Sequence, residues 1–187
     1  MACSSISLAG INTGCKDNMG GIKEVYIIKK DYIEGITLTT NQISAITVSV
    51  VDPSAATPVD QPWSTYKFRK GTSQFTSTMT TDDAAGTMSF ETVLALQFTK
   101  QETSKRLEIM ALCMDEVAVI VLDNNGKYWF LGYDNAVTAT AATGQSGTAF
   151  GDFGGYNIEL TDNSKELPYE VTATCISNLV INDAPSA

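Results

Sequence analysis

The sequence predicts a mainly β domain of α+β class, antiparallel sheet with one flanking α-helix, and three stretches carry that prediction. ISAITVSVVD alternates, setting Ile46, Val48 and Val50 on one face against Ala45, Thr47 and Ser49 on the other. VAVIVLDNNGKYWFLGYDN, residues 117–135, runs six apolar residues into Asn125-Gly126 and returns through Tyr128, Trp129, Phe130 and Leu131, the pattern of a hairpin. Only residues 99–114 change to a helical period. At 187 residues the chain fits one domain, 1–187, large enough to bury a core of its own.

Taken in order, residues 1–21 are small, polar and glycine-containing and read as an N-terminal arm. GIKEVYIIKKDYI follows as a strand of imperfect alternation, and ISAITVSVVD as a half-buried one. DPSAATPVDQPW, residues 52–63, holds Pro53, Pro58 and Pro62, three of the five prolines, without periodicity, so it reads as a loop of unusual length. TYKFRK, SQFTSTMTT and TMSFETVLALQF are rich in Thr, Phe, Tyr and Val. In the last, Met88, Phe90, Leu94, Leu96 and Phe98 share a face, with Thr92 the exception.

The helix is expected over about residues 100–114. Thr99 and Glu102 have the spacing of a capping box, and Glu102 stands four before Arg106, where a helical ion pair is favourable. Leu107, Met110, Ala111 and Met114 fall on one face, with Ile109, Leu112 and Cys113 beside them.

The hairpin is apolar on both sides, because Tyr128 and Phe130 point one way while Trp129 and Leu131 point the other. The preceding helix is expected to return over one face and an opposing sheet to cover the other, which makes the hairpin the centre of the core. Its Asn-Gly pair predicts a type I′ turn, with positive φ at both central residues. ATAATGQSGTAFGDFGG then reads as a small-residue stretch leading to a strand at Tyr156, Ile158 and Leu160. YEVTATCISNLVI reads as a final strand and residues 182–187 as a short tail.

Composition narrows the function. Hydrophobic residues make up 43% and charged ones 18%, below the roughly 25% of average proteins, which suits a surface partly given to partners. Histidine is absent, so histidine-dependent chemistry is excluded. A net charge of -9 with 12 Lys+Arg argues against tight nucleic-acid binding, which is assembled from many cationic contacts to phosphates. No basic leader and no apolar run long enough to span a membrane is seen, so a soluble product made in a cytoplasm is expected. Cys3, Cys15, Cys113 and Cys175 show no CxxC spacing and are expected to be free thiols, with a Cys3-Cys15 bridge or shared metal as the minor alternative.

Candidate sites sort mostly into structural roles. Gly144, Gly147, Gly151, Gly154 and Gly155 lack the Gly-Lys-Ser/Thr ending of a phosphate loop and fit a small-residue loop able to lie against another backbone. Asp82 with Asp83, Asp115 with Glu116, and Asp31 with Glu34 are carboxylate pairs. Adjacent strand residues point apart, whereas a glycosidase needs its two carboxyls facing across a cleft. DNNG, residues 123–126, only partly matches a calcium loop. Lys67, Arg69 and Lys70 form the one dense basic cluster; they read either as edge protection or as a docking surface for an identical neighbour. No catalytic residue, cofactor site or metal site is assigned.

Three segments carry a family resemblance: CKDNMGGIKEVYII, LDNNGKYWFLGYDN and TGQSGTAFGDFGGYNIELTDNSKELPYEV. Together they resemble the tail tube and tail ring class of virion structural proteins of tailed bacteriophages, notably crAss-like and related phages of Bacteroidetes. The order of segments is similar over roughly residues 15–171, leaving the proline loop and tail uncovered. The resemblance implies an antiparallel β-sandwich or rolled β-barrel with the helix on its side, homo-oligomeric rings in the virion tail, and a channel through which DNA passes without being gripped. It also implies neighbours among the other tail, portal or neck proteins, and no membrane partner. The arm, the 52–63 loop with Trp63, and the Lys67, Arg69 and Lys70 cluster are then the expected contacts between copies. The competing expectation is a carbohydrate-binding receptor-recognition module of the tail, with Trp63, Trp129, Tyr133 and Tyr156 lining an exposed sugar site. A hydrolase is the third, for which no acid-base pair can be placed.

Overall fold

The computed structural model describes residues 10–11, 16–51, 54–55 and 59–183. Its strands are β1 (Ile22–Lys29), β2 (Ile33–Thr39), β3 (Gln42–Val48), β4 (Trp63–Lys67), β5 (Gln74–Asp82) and β6 (Thr87–Thr99), then β7 (Val117–Asp123), β8 (Tyr128–Leu131), β9 (Thr138–Gln145), β10 (Gly155–Ser164), β11 (Tyr169–Val171) and β12 (Ile181–Asn182). Helix α1 (Thr103–Met114) lies between β6 and β7, and α2 (Ala173–Ser177) between β11 and β12.

The fold is the expected mainly β one. A curled eight-stranded sheet, in the order β12-β4-β1-β7-β8-β11-β3-β2, stacks on a four-stranded antiparallel sheet in the order β5-β6-β10-β9. The larger sheet is mixed rather than wholly antiparallel, since β11 runs parallel to β3 and β12 parallel to β4.

Two bulges reconcile imperfect sequence alternation with clean packing. In β1 the register shifts between Ile22 and Glu24, so Lys23 is the extra residue, and Ile22 joins Val25 and Ile27 on one face. In β3 the shift at Ser44 brings Ile43 and Ile46 to the same cluster although their spacing is odd.

The hairpin question has an internal answer. Residues 117–122 are all buried, and the strand they form is covered on both faces. Val119, Val121 and Leu131 pack against Leu94, Leu96, Ile158 and Leu160 of the small sheet, with Ile109 and Leu112 of α1 at the margin. Ala118, Ile120 and Phe130 pack the other way, against Ile43, Val171, Cys175 and Ile176, where the large sheet curls over itself and α2 closes the gap. At about 1.5–3 kcal/mol for each fully buried large side chain, these two layers are the main source of stability.

Several local expectations are corrected. The capping box does not form: Thr99 belongs to β6, Lys100 sits at φ +67°, and Glu102 is the N-cap without a side-chain cap bond. Glu102 reaches Lys105 at 3.0 Å and Lys100 at 3.3 Å instead of Arg106. The buried face of α1 is Ile109 and Leu112, while Leu107, Met110 and Met114 are exposed. Two anchors set that rotation: Lys105 Nζ donates to Thr99 O at 2.8 Å, and the Tyr66 hydroxyl donates to Glu108 Oε1.

The turn at 123–127 is not type I′. Gly126 alone has positive φ, at +79°, and Gly126 N donates to Asp123 O at 3.2 Å, giving a three-residue loop closed by a left-handed glycine. Asp123 Oδ1 drives this choice by accepting Asn125 N and Lys127 N at 2.8 and 2.9 Å. The expected final strand is broken by α2, because Thr172 Oγ1 accepts Cys175 N at 3.3 Å and caps a short helix. Residues 138–145, expected within a small-residue stretch, form β9.

A buried polar clamp joins the two sheets. Asp162 of β10 is 2% exposed, and its Oδ2 accepts Gly132 N at 2.9 Å, while Lys30 Nζ donates to the Gly132 and Tyr133 carbonyls. Burial pushes the Asp162 carboxyl up from the ordinary carboxylate range and holds Lys30 below the usual ammonium range. A raised folded-state pKa makes the neutral acid the better folded form; that stability is present below the unfolded value and lost as pH rises through the folded one. Asp162→Asn, which keeps an acceptor for Gly132 N without the charge, is therefore expected to match or exceed the wild type in urea midpoint at neutral pH. Its advantage should shrink as pH falls. Asp162→Ala should lose about 1–3 kcal/mol at either pH by orphaning the Gly132 N–H.

Candidate functional site

The expected contact residues do not form one surface. Pro53 and Pro58, with Cys3, Cys15 and most of the arm, lie outside the described residues. The ends of the 52–63 loop are zipped, Val51 N donating to Val59 O at 2.8 Å and Gln61 N to Ser49 O at 2.9 Å, and Pro62 is half-buried. Trp63 is the first residue of β4 and 0% exposed, so it is a core residue and neither a contact nor a sugar platform.

The other aromatics are dispersed as well. Trp129 packs with the inter-sheet cluster and its Nε1 donates to Asp123 Oδ2 at 3.3 Å. Tyr133 lies 4.9 Å from Tyr169 in the cluster on the opposite side of the large sheet. Tyr156 faces Gly144, where an added Cβ would meet its ring at 3.1 Å. Trp63 and Tyr133 thus belong to one cluster, Trp129 and Tyr156 to the other, and the four share no face.

The basic cluster is displayed. Lys67, Arg69 and Lys70 are exposed at the exit of β4, and Lys67 pairs loosely with Asp183 at 3.6 Å. Phe68 between them anchors the loop, its ring 5.2 Å from Phe98. Among the described residues the two-residue β12 covers Trp63 and Ser64 of β4, and Lys67 lies beyond it, so edge protection accounts for its placement.

The surface that sequence reading did not find is the pair of open edges of the small sheet. Among the described residues β5 and β9 each have one strand partner, α1 packs beside β9, and neither Gln74–Asp82 nor Thr138–Gln145 contains Lys, Arg or Pro. These are the residues with which proteins blunt an exposed edge. β9 has one bulge, at Thr140, and pairs regularly with β10 over residues 141–145. The signal was faint because β9 is Thr, Ala and Gly, and only the pairing of Gly144 with Tyr156 and Ala142 with Ile158 makes it a strand.

Beside β9, a groove of about 320 Å³ runs under the exposed face of α1, lined by Met110, Cys113, Met114, Gly144 and Tyr156. The glycine loop that follows is ordered by Asp152, whose carboxylate accepts Thr148 N and Ala149 N at 2.9 and 2.7 Å and is held below its usual range by them. Among the described residues no three Asp, Glu, Cys or His are placed to hold a metal. Cys175 is buried and its thiol pushed up by that burial; Cys113 is exposed. No helix among the described residues is long and apolar enough to cross a membrane.

No protein-family model, curated protein or solved structure matches the chain.

Proposed function

We propose that the chain is a non-enzymatic structural subunit whose copies join side by side through the edges of the small sheet into a closed ring around a channel. This is the tail tube or tail ring role that its sequence resemblance implies. The observation that carries the reading is the pair of edges that lack a second strand among the described residues, β5 and β9, the latter exposed along most of its length beside α1. β5, β6, β10 and β9 alternate in direction, so β9 of one copy laid against β5 of the next continues an antiparallel sheet without a break. A contact that uses two different patches repeats head to tail and closes when the rotation allows.

The face of the small sheet turned away from the core supports the same reading. It carries Thr76, Thr78, Ser89, Glu91, Asn157 and Glu159, and no Lys or Arg among its strands. Such a wall offers DNA phosphates nothing to hold. The carbohydrate alternative loses its platform with the burial of Trp63.

The test is direct. Wild-type protein is expected to form rings in negative-stain micrographs and to sediment as a discrete oligomer. Combining Thr78→Lys with Thr143→Lys puts a cation on both sides of every seam; the variant should stay monomeric while its stability changes by no more than about 0.5 kcal/mol. A wild type that remains a monomer at high concentration overturns the proposal.

A further inference from the structure

We infer that the groove between α1 and β9 is a binding site for a straight-chain aliphatic carboxylate, its chain lying along the groove and its carboxylate meeting Arg106.

The groove originates in a mismatch between neighbouring strands. On the side of the small sheet that faces the core, β10 presents Tyr156, Ile158 and Leu160, and their partners on β9 are Gly144, Ala142 and Ala139. Those small residues leave the space beside α1 unfilled, and the helix borders it with Met110, Cys113 and Met114, all exposed. The remaining volume of about 320 Å³ stands at the lower end of the roughly 300–1,000 Å³ of small-molecule sites. One larger aliphatic side chain at Ala142 would seal it, a cavity-filling change of the kind that commonly stabilises a fold. The sequence keeps the groove open instead.

Shape and chemistry select the ligand. Arg106, Met110 and Met114 border the groove at intervals of four residues, so they stand one above the other along roughly 12 Å of helix at about 1.5 Å per residue. A charge thus stands at one end of an apolar line. Methionine side chains are flexible and polarizable, and they mould themselves to an aliphatic chain. The walls carry little polar surface and no carboxylate. A peptide would bury N–H and C=O groups there without partners, a cost that a hydrocarbon chain does not meet.

Arg106 is available to an anion. Among the described residues it has no ion pair, and its Nη1 donates to Met110 Sδ at 3.4 Å, a weak acceptor that draws the guanidinium along the groove. The acids nearest it in the helix are engaged, Glu102 with Lys100 and Lys105, and Glu108 with the Tyr66 hydroxyl. A planar guanidinium with its fork of donors matches a carboxylate. The net charge of -9 sharpens the test, since it attracts cationic amphiphiles in general, and a preference for the anion reports a local cation.

Cys113, exposed in the groove, is the reporter. Its alkylation by iodoacetamide in the full chain, followed at that residue by peptide mass spectrometry, should slow about tenfold once decanoate, below its micelle concentration, reaches about ten times its Kd. Decanol should bind roughly tenfold or more weakly for want of the charge-assisted hydrogen bond, and decylammonium more weakly still. Arg106→Gln should bring decanoate to the level of decanol and leave decanol unchanged. Ala142→Leu should abolish the effect of both ligands while its urea midpoint matches or exceeds that of the wild type. Equal protection by decanoate and decylammonium, protection by decanoate that survives Arg106→Gln, or none up to its micelle concentration overturns the inference. So does an apolar peptide with a free C-terminal carboxylate that protects where decanoate does not. The inference does not rest on the ring reading, and sedimentation of the same samples scores assembly separately.

Discussion

Trp63→Ala is expected to cost about 3–5 kcal/mol, read as a lower urea midpoint with an unchanged m-value. The side chain is completely buried with Tyr26, Ile28 and Ile181 in its cluster, so its removal leaves a cavity the size of an indole. Against a typical total of about 5–15 kcal/mol, that loss leaves a barely folded chain. The indole Nε1 is buried and has no hydrogen-bond partner among the described residues. Trp63→Phe, which removes that N–H while filling most of the space, should therefore recover much of the loss. A Trp63→Ala protein with wild-type stability but altered assembly would return the residue to the surface role its position beside the proline loop suggested.

The second large effect is expected at Gly155. A Cβ there would overlap the carbonyl oxygen of Phe98 and lie 2.9 Å from Phe153 Cζ, at the point where β10 pairs with both β6 and β9. Relief requires the three strands to part, so Gly155→Ala should lose about 1–3 kcal/mol or more and loosen β9, the edge proposed to meet the next subunit. Gly151→Ala is the control. It has open space around its Cβ and should change neither stability nor assembly. Equal tolerance at both positions would mean that the glycines serve only loop mobility.

How much of this was legible depends on whether a residue's role was local. The alternation around Ile46 and Val48, and the double-sided hairpin at 117–131, survive because a strand's faces follow from its own sequence. The helix was found nearly in place, but its buried face was not. The stripe Leu107, Met110 and Met114 is as apolar as the pair Ile109 and Leu112, and distant tethers, Tyr66 to Glu108 among them, decide between them. Trp63 was misplaced because the prolines before it mark a loop while nothing nearby signals the neighbours β1 and β12. The open edges were invisible for a related reason: an edge is a strand lacking a second partner, a fact about the rest of the chain.

The central pairing of the large sheet sets a schedule for synthesis. Ile27 meets Val119, about 90 residues later in the chain. At about 5–20 residues per second, β1 leaves the ribosome roughly 5–20 s before the strand that will cover it. During that interval VYII is an apolar run with β4 as the one strand partner already made, and the charges that flank it, Lys23 and Glu24 before and Lys29 and Lys30 after, keep it from finding another nascent chain. Replacing the exposed flanks Lys23 and Lys29, and leaving Lys30 in its clamp, would leave the finished fold little changed and lower the fraction of chains that reach it.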